Sequence, residues 1–246
     1  MRMAVRALLF DLFGTVVHFA ARVPIVEVAG ARWVTTMGWL QPLVAEKIPD
    51  VSFDALLNAL MATTEEIVRE RPPEYHEVPS RERFRRALAK VGISGVAAME
   101  TAQQLSLVHM QHLASTTFLP EGHADVLAAL QAKYRLGLVS NFDHGPTARR
   151  VLEMHGIDRY FEVILISDEF GRRKPHRSIF DAACERLQAT SSEALFIGDN
   201  PKEDIAAAHA AGLTPVWVSA AEEPATTEAR FVIRSLRELP GILGSL

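Results

Sequence analysis

Three short stretches of the sequence contain residues that could perform nucleophilic, metal-binding or anion-binding chemistry. Asp11 follows an apolar run, and its carboxylate could be a nucleophile, a general base or a metal ligand, or could cap a turn. Asp199 and Asp204 together suit a hard cation such as Mg²⁺, although Asp204 could instead stabilise a helix N-terminus. Lys174 supplies a positive charge that could neutralise a phosphate or lie in a solvated basic turn.

The elements that must position these residues are short apolar segments rich in strand-forming residues. Strands are predicted over residues 5–10, 135–139, 161–166, 194–197, 213–218 and 231–233. Helical segments alternate with them after Pro120, and this alternation predicts parallel βαβ units. Ligands gather at the carboxyl ends of the strands in such sheets. We therefore expect the polar residues that end four of the strands to lie together at this edge of the sheet; they are Asp11, Ser140, Ser167 and Asp199.

Residues 17–118 show helical spacing rather than strand alternation. Phe53, Leu56 and Leu60 share one helical face after a predicted N-cap at Ser52. Further helices are predicted to begin near residue 80 and to cover residues 99–113. This block therefore predicts an all-helical insert between the first strand and the rest of the sheet.

The composition limits the classes of function that the chain can have. It has 246 residues, 48% hydrophobic and 23% charged, so it can bury a core, and predominant disorder is excluded. The net charge of −4 gives no basic surplus for nucleic acid, and the single Cys184 excludes an intramolecular disulfide. No apolar run approaches the length of a membrane helix or of a signal peptide. We expect a cytoplasmic protein with neither a membrane nor a nucleic-acid partner.

Together, these motifs resemble those of the haloacid dehalogenase superfamily in order, spacing and placement at strand ends. The matching segments are Asp11-Leu-Phe13-Gly14-Thr15, Ser140-Asn141, Lys174-Pro175 and Gly198-Asp199-Asn-Pro-Lys-Glu-Asp204. The helical block resembles the cap that the helical-cap branch inserts after its first motif. The resemblance implies an α/β fold: a Rossmann-like parallel sheet core of residues 1–16 and 119–246, with an inserted all-helical cap domain of residues 17–118.

The resemblance also implies a hydrolytic mechanism on a small, anionic substrate. Asp11 would form a covalent aspartyl intermediate that water then hydrolyses, with Thr15 and Lys174 as the other catalytic residues. Ser140, Asn141 and Lys174 would bind the substrate. The implied cofactor is Mg²⁺, which would neutralise charge as a phosphate approaches a carboxylate. Its ligands would be Asp11, the carbonyl of Phe13, Asp199 and Asp204.

Phe13 departs from the pattern of the family's phosphatases, which usually have a second Asp there as general acid. The family's dehalogenases have an aromatic residue at that position, because a halide leaves without a proton. They lack the Gly-Asp metal pattern, however, and tend to have Tyr where this chain has Phe180.

The last of the four motifs, Gly198 to Asp204, decides between phosphatase and dehalogenase. Carboxylates such as Asp199 and Asp204 repel one another in a cleft unless a cation is bound. We therefore predict a Mg²⁺-dependent phosphatase of a small phosphorylated metabolite. The alternatives are a 2-haloacid dehalogenase and a non-catalytic binding protein of the same fold, and the substrate is not specified by the sequence.

Overall fold

The apolar segments predicted as strands form one six-stranded parallel sheet in the computed structural model, which describes residues 4–20, 24–28, 31–219 and 228–244. The order in this sheet is β10-β9-β8-β1-β6-β7, and the α/β fold class is thereby confirmed. The strands of the chain are β1 (Ala7–Phe10), β2 (His18–Phe19), β3 (Ile25–Val28), β4 (Ala31–Val34), β5 (Thr117–Phe118), β6 (Arg135–Ser140), β7 (Val163–Ile166), β8 (Ala194–Gly198), β9 (Thr214–Val218) and β10 (Phe231–Ile233).

Helices occupy most of the segments in which helical spacing was found. The α-helices are α1 (Gln41–Lys47), α2 (Phe53–Glu70), α3 (Ser80–Lys90), α4 (Gly95–Ser115), α5 (His123–Gln131), α6 (Gly145–Met154), α7 (Ser167–Phe170), α8 (Arg177–Arg186), α9 (Ala207–Ala210) and α10 (Leu239–Gly244). One π-helical turn, Pro201–Ala206, directly precedes α9. None of the helices in the described residues is both long and apolar enough to cross a bilayer.

The chain divides into two compact units. The first contains Met1–Phe19, Pro73–Glu77 and Phe118–Leu246, and the second contains Ala20–Pro72 and Val78–Thr117. The short segment Pro73–Glu77 thus belongs to the first unit although residues of the second unit flank it on both sides in sequence. The first unit contains the parallel sheet and therefore every residue for which the sequence predicted chemistry.

Strand β1 lies at the centre of the sheet, between β6 and β8. All four of its residues are completely buried, which is expected for a parallel strand that is covered on both faces. Phe10 pairs with Leu138 on one side and with Ile197 on the other. Asp11 consequently leaves the sheet beside the ends of β6 and β8, where Ser140 and Asp199 also lie.

The second unit is built mainly from α1 to α4 around its own apolar core. The Ser52 hydroxyl caps α2 by accepting a hydrogen bond from the amide of Ala55 at 3.2 Å, so the predicted N-cap is confirmed. The buried side chains of this core include Leu56 and Leu60 of α2, Phe84 of α3 and Leu105 of α4.

The inserted segment is not all-helical, which corrects that part of the fold prediction. Strands β3 and β4 pair as an antiparallel hairpin, with Ile25 opposite Val34 and Val28 opposite Ala31. The physical reason lies in the composition of this stretch, which contains the β-branched residues Ile25, Val26, Val28 and Val34. A pattern of only four residues per strand was too short to stand out against the long helical segments.

A buried histidine in the second unit should make its stability depend on pH. His109 is buried against the edge of Phe84, and its Nε2 lies 2.7 Å from Oγ1 of Thr36. Burial, with smaller effects of Arg83 and His112, lowers the pKa of His109 to about 4. The unfolded chain therefore binds more protons than the folded one between pH 6.5 and 4, and the free energy of unfolding must fall as the pH decreases through that range.

We expect this effect to reach about 2–3 kcal/mol near pH 4.5 relative to pH 7. Chemical denaturation at several pH values measures it, and His109→Gln should flatten the pH dependence by that amount. His209→Gln, an exposed histidine on α9, is the control and should retain the wild-type slope. An unchanged slope in His109→Gln would contradict the assignment.

Candidate active site

A buried ammonium group joins two carboxylates at the carboxyl edge of the sheet. Nζ of Lys174 lies 2.7 Å from Oδ1 of Asp11 and 2.7 Å from Oδ1 of Asp204, and it donates to the carbonyl of Val139 at 2.8 Å. The Lys174 side chain is only 1% exposed, and its Nζ is 5.1 Å from the centre of the Phe196 ring. The ammonium group is thus fixed by partners on three different strands or loops.

Three acidic side chains form a cluster around this lysine. Asp11, Asp199 and Asp204 each offer one carboxylate oxygen, and these oxygens all lie within 4.8 Å of one another. The orientation of the Asp204 carboxylate is fixed by two backbone amides, because its Oδ2 accepts hydrogen bonds from the amides of Asp199 at 3.1 Å and Asn200 at 2.9 Å. The cluster is a set of hard oxygen donors, which is the kind that Mg²⁺ and similar cations prefer.

The electrostatics of the cluster show an excess of negative charge. Burial raises the pKa of Asp11 to about 7, with Asp204 and Asp199 adding to the shift and Lys174 opposing it. Burial and the neighbouring Asp204 likewise raise the pKa of Asp199 to about 6. Burial acts to lower the pKa of Lys174, but Asp11 and Asp204 outweigh it and hold that pKa above its ordinary value. One ammonium group therefore does not balance three carboxylates, and a further cation would.

The turn after β8 is shaped to present Asp204. The carbonyl of Asn200 accepts hydrogen bonds from the amides of both Asp204 and Ile205, so the helical segment after β8 begins as a π-helical turn. The side chain of Asn200 caps the turn through the amides of Lys202 and Glu203, each at 2.9 Å. Such turns occur often at functional sites, because they move a side chain off the regular helical position.

Asn141 does not direct its side chain into the acidic cluster. Its Oδ1 accepts from the amide of Lys174 at 2.8 Å, and its Nδ2 donates to the carbonyl of Lys174 at 2.9 Å. Nδ2 also donates to Glu203 at 2.9 Å. The Asn141 side chain therefore fixes the backbone on both sides of the Lys174 α-carbon. The peptide bond that follows, Lys174–Pro175, is cis.

Two buried hydroxyl groups in this part of the protein have no hydrogen-bond partner among the described residues. They belong to Ser140, at the end of β6, and to Thr15, in the turn after β1. Ser140 is 1% exposed and Thr15 is completely buried. Buried hydroxyl groups are nearly always paired, so these two are available to a ligand.

Gly14 and Phe13 shape the turn after Asp11 in different ways. Gly14 has a φ of +91°, and a Cβ at this position would overlap the carboxylate of Asp199, so only glycine fits. The Phe13 ring stacks on Phe19 at 4.9 Å and lies 4.7 Å from Phe142. An aromatic cluster thus occupies the position at which the family's phosphatases usually have an acid.

The fourth residue at the strand ends, Ser167, faces different partners. Its hydroxyl accepts from the amide of Phe142 at 2.9 Å and donates to Glu77 at 2.5 Å. Glu77 and Glu203 were not singled out from the sequence. Nothing local marks them, because Glu77 is one of two glutamates in a short stretch between Pro73 and Pro79, and Glu203 is one of several charged residues at the start of a helical segment.

A family model described as "haloacid dehalogenase-like hydrolase" matches residues 5–212. The chain therefore belongs to the family of haloacid dehalogenase-like hydrolases, and both the predicted family and the predicted enzyme class are confirmed.

Individual relatives give more detail. The phosphoserine phosphatase of Thermus thermophilus is 32% identical over 164 residues, which are 65% of this chain and 64% of that protein. The phosphoglycolate phosphatase of Escherichia coli K12 is 41% identical over 104 residues, 42% of this chain and 40% of that protein. This chain thus spans less than two thirds of the length of either relative.

Among solved structures, the 2-haloacid dehalogenase of Pseudomonas syringae pv. tomato DC3000 superposes with a TM-score of 0.73. Its sequence is 22% identical, and the match covers 98% of this chain and 99% of that one. At this identity the likeness shows the fold, with the parallel sheet and the insert, and nothing about the substrate.

Proposed function

We propose that the protein is a Mg²⁺-dependent phosphatase that acts on a small phosphorylated metabolite. The observation that carries this proposal is the cluster of Asp11, Asp199 and Asp204, in which one lysine faces three carboxylates, those of Asp11 and Asp204 buried and that of Asp199 partly buried. A dehalogenase needs a nucleophilic carboxylate but no cation site. The names of the two curated relatives, both phosphatases, support the same choice.

The residues divide the work of hydrolysis as follows. Asp11 attacks the phosphorus atom, the bond to the leaving oxygen breaks, and water then hydrolyses the aspartyl phosphate. Lys174 neutralises the carboxylate of Asp11 and the incoming phosphate, and the free hydroxyl groups of Ser140 and Thr15 donate to phosphate oxygens. Asn141 positions Lys174 through its backbone.

The residues present fit a bound Mg²⁺. Its protein ligands would be Asp11, Asp199 and the carbonyl of Phe13, with Asp204 as a further ligand or as a partner held by Asp199 and Asn200 amides. When bound, the ion supplies positive charge beside the transferring phosphoryl group. The three neighbouring carboxylates repel one another, and the charge of such an ion would relieve that repulsion.

One observation favours the second candidate, a 2-haloacid dehalogenase. Phe13 is packed between Phe19 and Phe142, so the site holds an apolar wall where a general acid would stand. Departure of a halide needs no proton, and an apolar wall suits it.

A direct assay separates the two candidates. Purified protein is incubated with p-nitrophenyl phosphate and with 2-chloropropionate, each with Mg²⁺ and with EDTA. We expect phosphate release that EDTA abolishes and no chloride release. Chloride release that is insensitive to EDTA would replace the phosphatase by the dehalogenase, and no turnover of either substrate would favour a binding protein.

Mg²⁺ binding should depend on Asp199 and on pH. Asp199→Asn removes one negative oxygen donor, and we expect the affinity to fall at least about tenfold, the loss typical even of residues that only support a ligand. Protons compete with the ion for carboxylates of raised pKa, so the wild-type affinity should decrease from pH 8 to pH 6. Titration calorimetry measures both effects. Asp125→Asn, exposed on α5, is the control, and equal Mg²⁺ affinity of Asp199→Asn and wild type would contradict the metal site.

Phe13 should make turnover depend strongly on the acidity of the leaving group. Without a positioned acid, p-nitrophenyl phosphate should react well and alkyl phosphates poorly. Phe13→Asp should then accelerate alkyl esters more than the aryl ester, by up to about 10²–10⁴-fold. Circular dichroism and Mg²⁺ affinity of the variant control for damage to the Phe13–Phe19–Phe142 cluster. Equal rates for aryl and alkyl phosphates in the wild type would show that another residue supplies the proton.

Two further interpretations stay predictions. Residues 17–118 are proposed to act as the cap that selects the substrate, and residues 1–16 and 119–246 as the core. The cytoplasmic location likewise stays a prediction from the sequence.

A further inference from the structure

The segment Pro73–Glu77 is attached to the loop that carries Lys174. The amide of Arg173 donates to the carbonyl of Tyr75 at 2.9 Å, and the amide of Glu77 donates to the carbonyl of Gly171 at 3.1 Å. His76 and Arg172 form an antiparallel bridge between these contacts. The backbone next to the buried lysine is therefore held by a piece of chain almost a hundred residues away in sequence.

The Glu77 side chain reaches two loops of the site at once. It is 1% exposed, it accepts from the Ser167 hydroxyl at 2.5 Å, and it pairs with Nη1 of Arg173 at 3.1 Å. The same Ser167 hydroxyl accepts from the amide of Phe142 at 2.9 Å. One buried carboxylate thus links the loop after β6, which begins with Asn141, to the loop of Lys174.

Arg173 closes this network on its other side. Its Nη2 lies 3.3 Å from Glu203, and Glu203 also accepts from Nδ2 of Asn141. Asn141 in turn binds the amide and the carbonyl of Lys174. Arg173, directly before Lys174, is therefore held by two carboxylates, those of Glu77 and Glu203.

We propose that Glu77 is a positioning residue for Lys174, acting through Arg173 and Ser167. The proposal rests on the proposed function only in assigning Lys174 to the hydrolytic step. The physical reason is charge balance. When an uncharged residue replaces Glu77, Glu203 is the remaining carboxylate that pairs with Arg173. The guanidinium then moves toward Glu203, and the backbone of residues 171–174 moves with it. Lys174 then loses its alignment with Asp11.

The test compares Glu77→Gln with Glu74→Gln. Gln keeps the size of Glu77 and an oxygen that accepts from Ser167, but it removes the charge that holds Arg173. Glu74 is in the same segment and pairs with Arg172 at 2.6 Å, but both side chains are substantially exposed, so its replacement is a matched control. We expect Glu77→Gln to lower kcat about 10–100-fold with little change in KM, since misplacing a catalytic group by about 1 Å has that effect. Glu74→Gln should leave both parameters within about twofold of wild type.

A second readout does not depend on the substrate. Hydrogen–deuterium exchange of the amides of residues 171–174 should become faster in Glu77→Gln and stay unchanged in Glu74→Gln. Should Glu77→Gln not fold, Arg173→Lys tests the same link, because one ammonium group cannot bind both Glu77 and Glu203 as the guanidinium does.

The outcomes separate this proposal from the proposed function. Wild-type kcat and exchange in Glu77→Gln, or equal losses in Glu77→Gln and Glu74→Gln, would overturn the role of Glu77. If the wild type released chloride instead of phosphate, the proposed phosphatase activity would be wrong. The two variants would then be compared by chloride release, and a lower kcat in Glu77→Gln alone would still support the role of Glu77.

Discussion

Replacement of Asp11 by Asn is expected to reduce hydrolytic turnover about 10⁴-fold or more while the fold stays intact. The amide has the shape of the carboxylate but cannot attack an electrophile. Its oxygen can still accept the hydrogen bond that Lys174 donates to Oδ1 of Asp11 at 2.7 Å. The substitution also removes one of the negative charges that raise the energy of this buried cluster, so thermal stability should not fall.

The measurement is kcat with p-nitrophenyl phosphate, together with circular dichroism and thermal unfolding. Asp125→Asn, an exposed carboxylate on α5, is the control for a general effect of removing a charge and should retain wild-type turnover. Mass spectrometry of the Asp11→Asn protein excludes deamidation back to Asp. Turnover close to that of the wild type in verified Asp11→Asn would contradict a covalent mechanism through this residue.

The second large effect is expected for Lys174→Met, in both activity and stability. The ammonium group lies 2.7 Å from both Asp11 and Asp204, and all three residues are at most 6% exposed. Removing one partner of a buried ion pair costs about 3–5 kcal/mol, because the other charge stays buried without compensation. Loss of the charge beside the transferring group should in addition lower kcat about 10²–10³-fold or more.

The stability deficit of Lys174→Met should depend on pH in a direction that can be worked out. The pKa of Asp11 is already raised in the folded protein, to about 7 from 3.8, and it rises further without Lys174. A raised carboxyl pKa means that the folded state binds the proton more tightly. Its free energy of unfolding therefore falls as the pH increases from about 4 through 7. The deficit should be largest above pH 7 and shrink toward pH 4.

Urea unfolding of Lys174→Met and wild type at pH 5 and pH 8 measures this difference. Lys133→Met removes an exposed lysine after α5 and should change stability little at either pH. A deficit that is equal at pH 5 and pH 8 would show that the lysine stabilises the fold by packing rather than by charge. Added Mg²⁺ should restore part of the stability at pH 8, because it replaces the missing positive charge.

The sequence by itself determined the sheet and the place of the site within it. Residues 5–10 and 194–197 are apolar runs, and such runs form buried parallel strands because both faces of the sheet must be covered. A polar residue directly after such a run must lie at the edge of the sheet. Asp11 and Asp199 were for this reason placed together correctly, and the family resemblance added Asp204 and Lys174 to them.

Tertiary structure alone decided which partner each polar side chain takes. The sequence interpretation assigned Asn141 to the substrate, which stays a prediction, and it did not indicate that this side chain holds the backbone of Lys174. It placed Ser167 with the other residues at the strand ends, whereas Ser167 bonds to Glu77. The physical reason is that burial and secondary structure can be predicted from the pattern of residues that are close together in the sequence. A hydrogen bond between residues ninety positions apart depends instead on how whole elements pack, and nothing near Glu77 in the sequence indicates that its carboxylate meets Ser167 and Arg173.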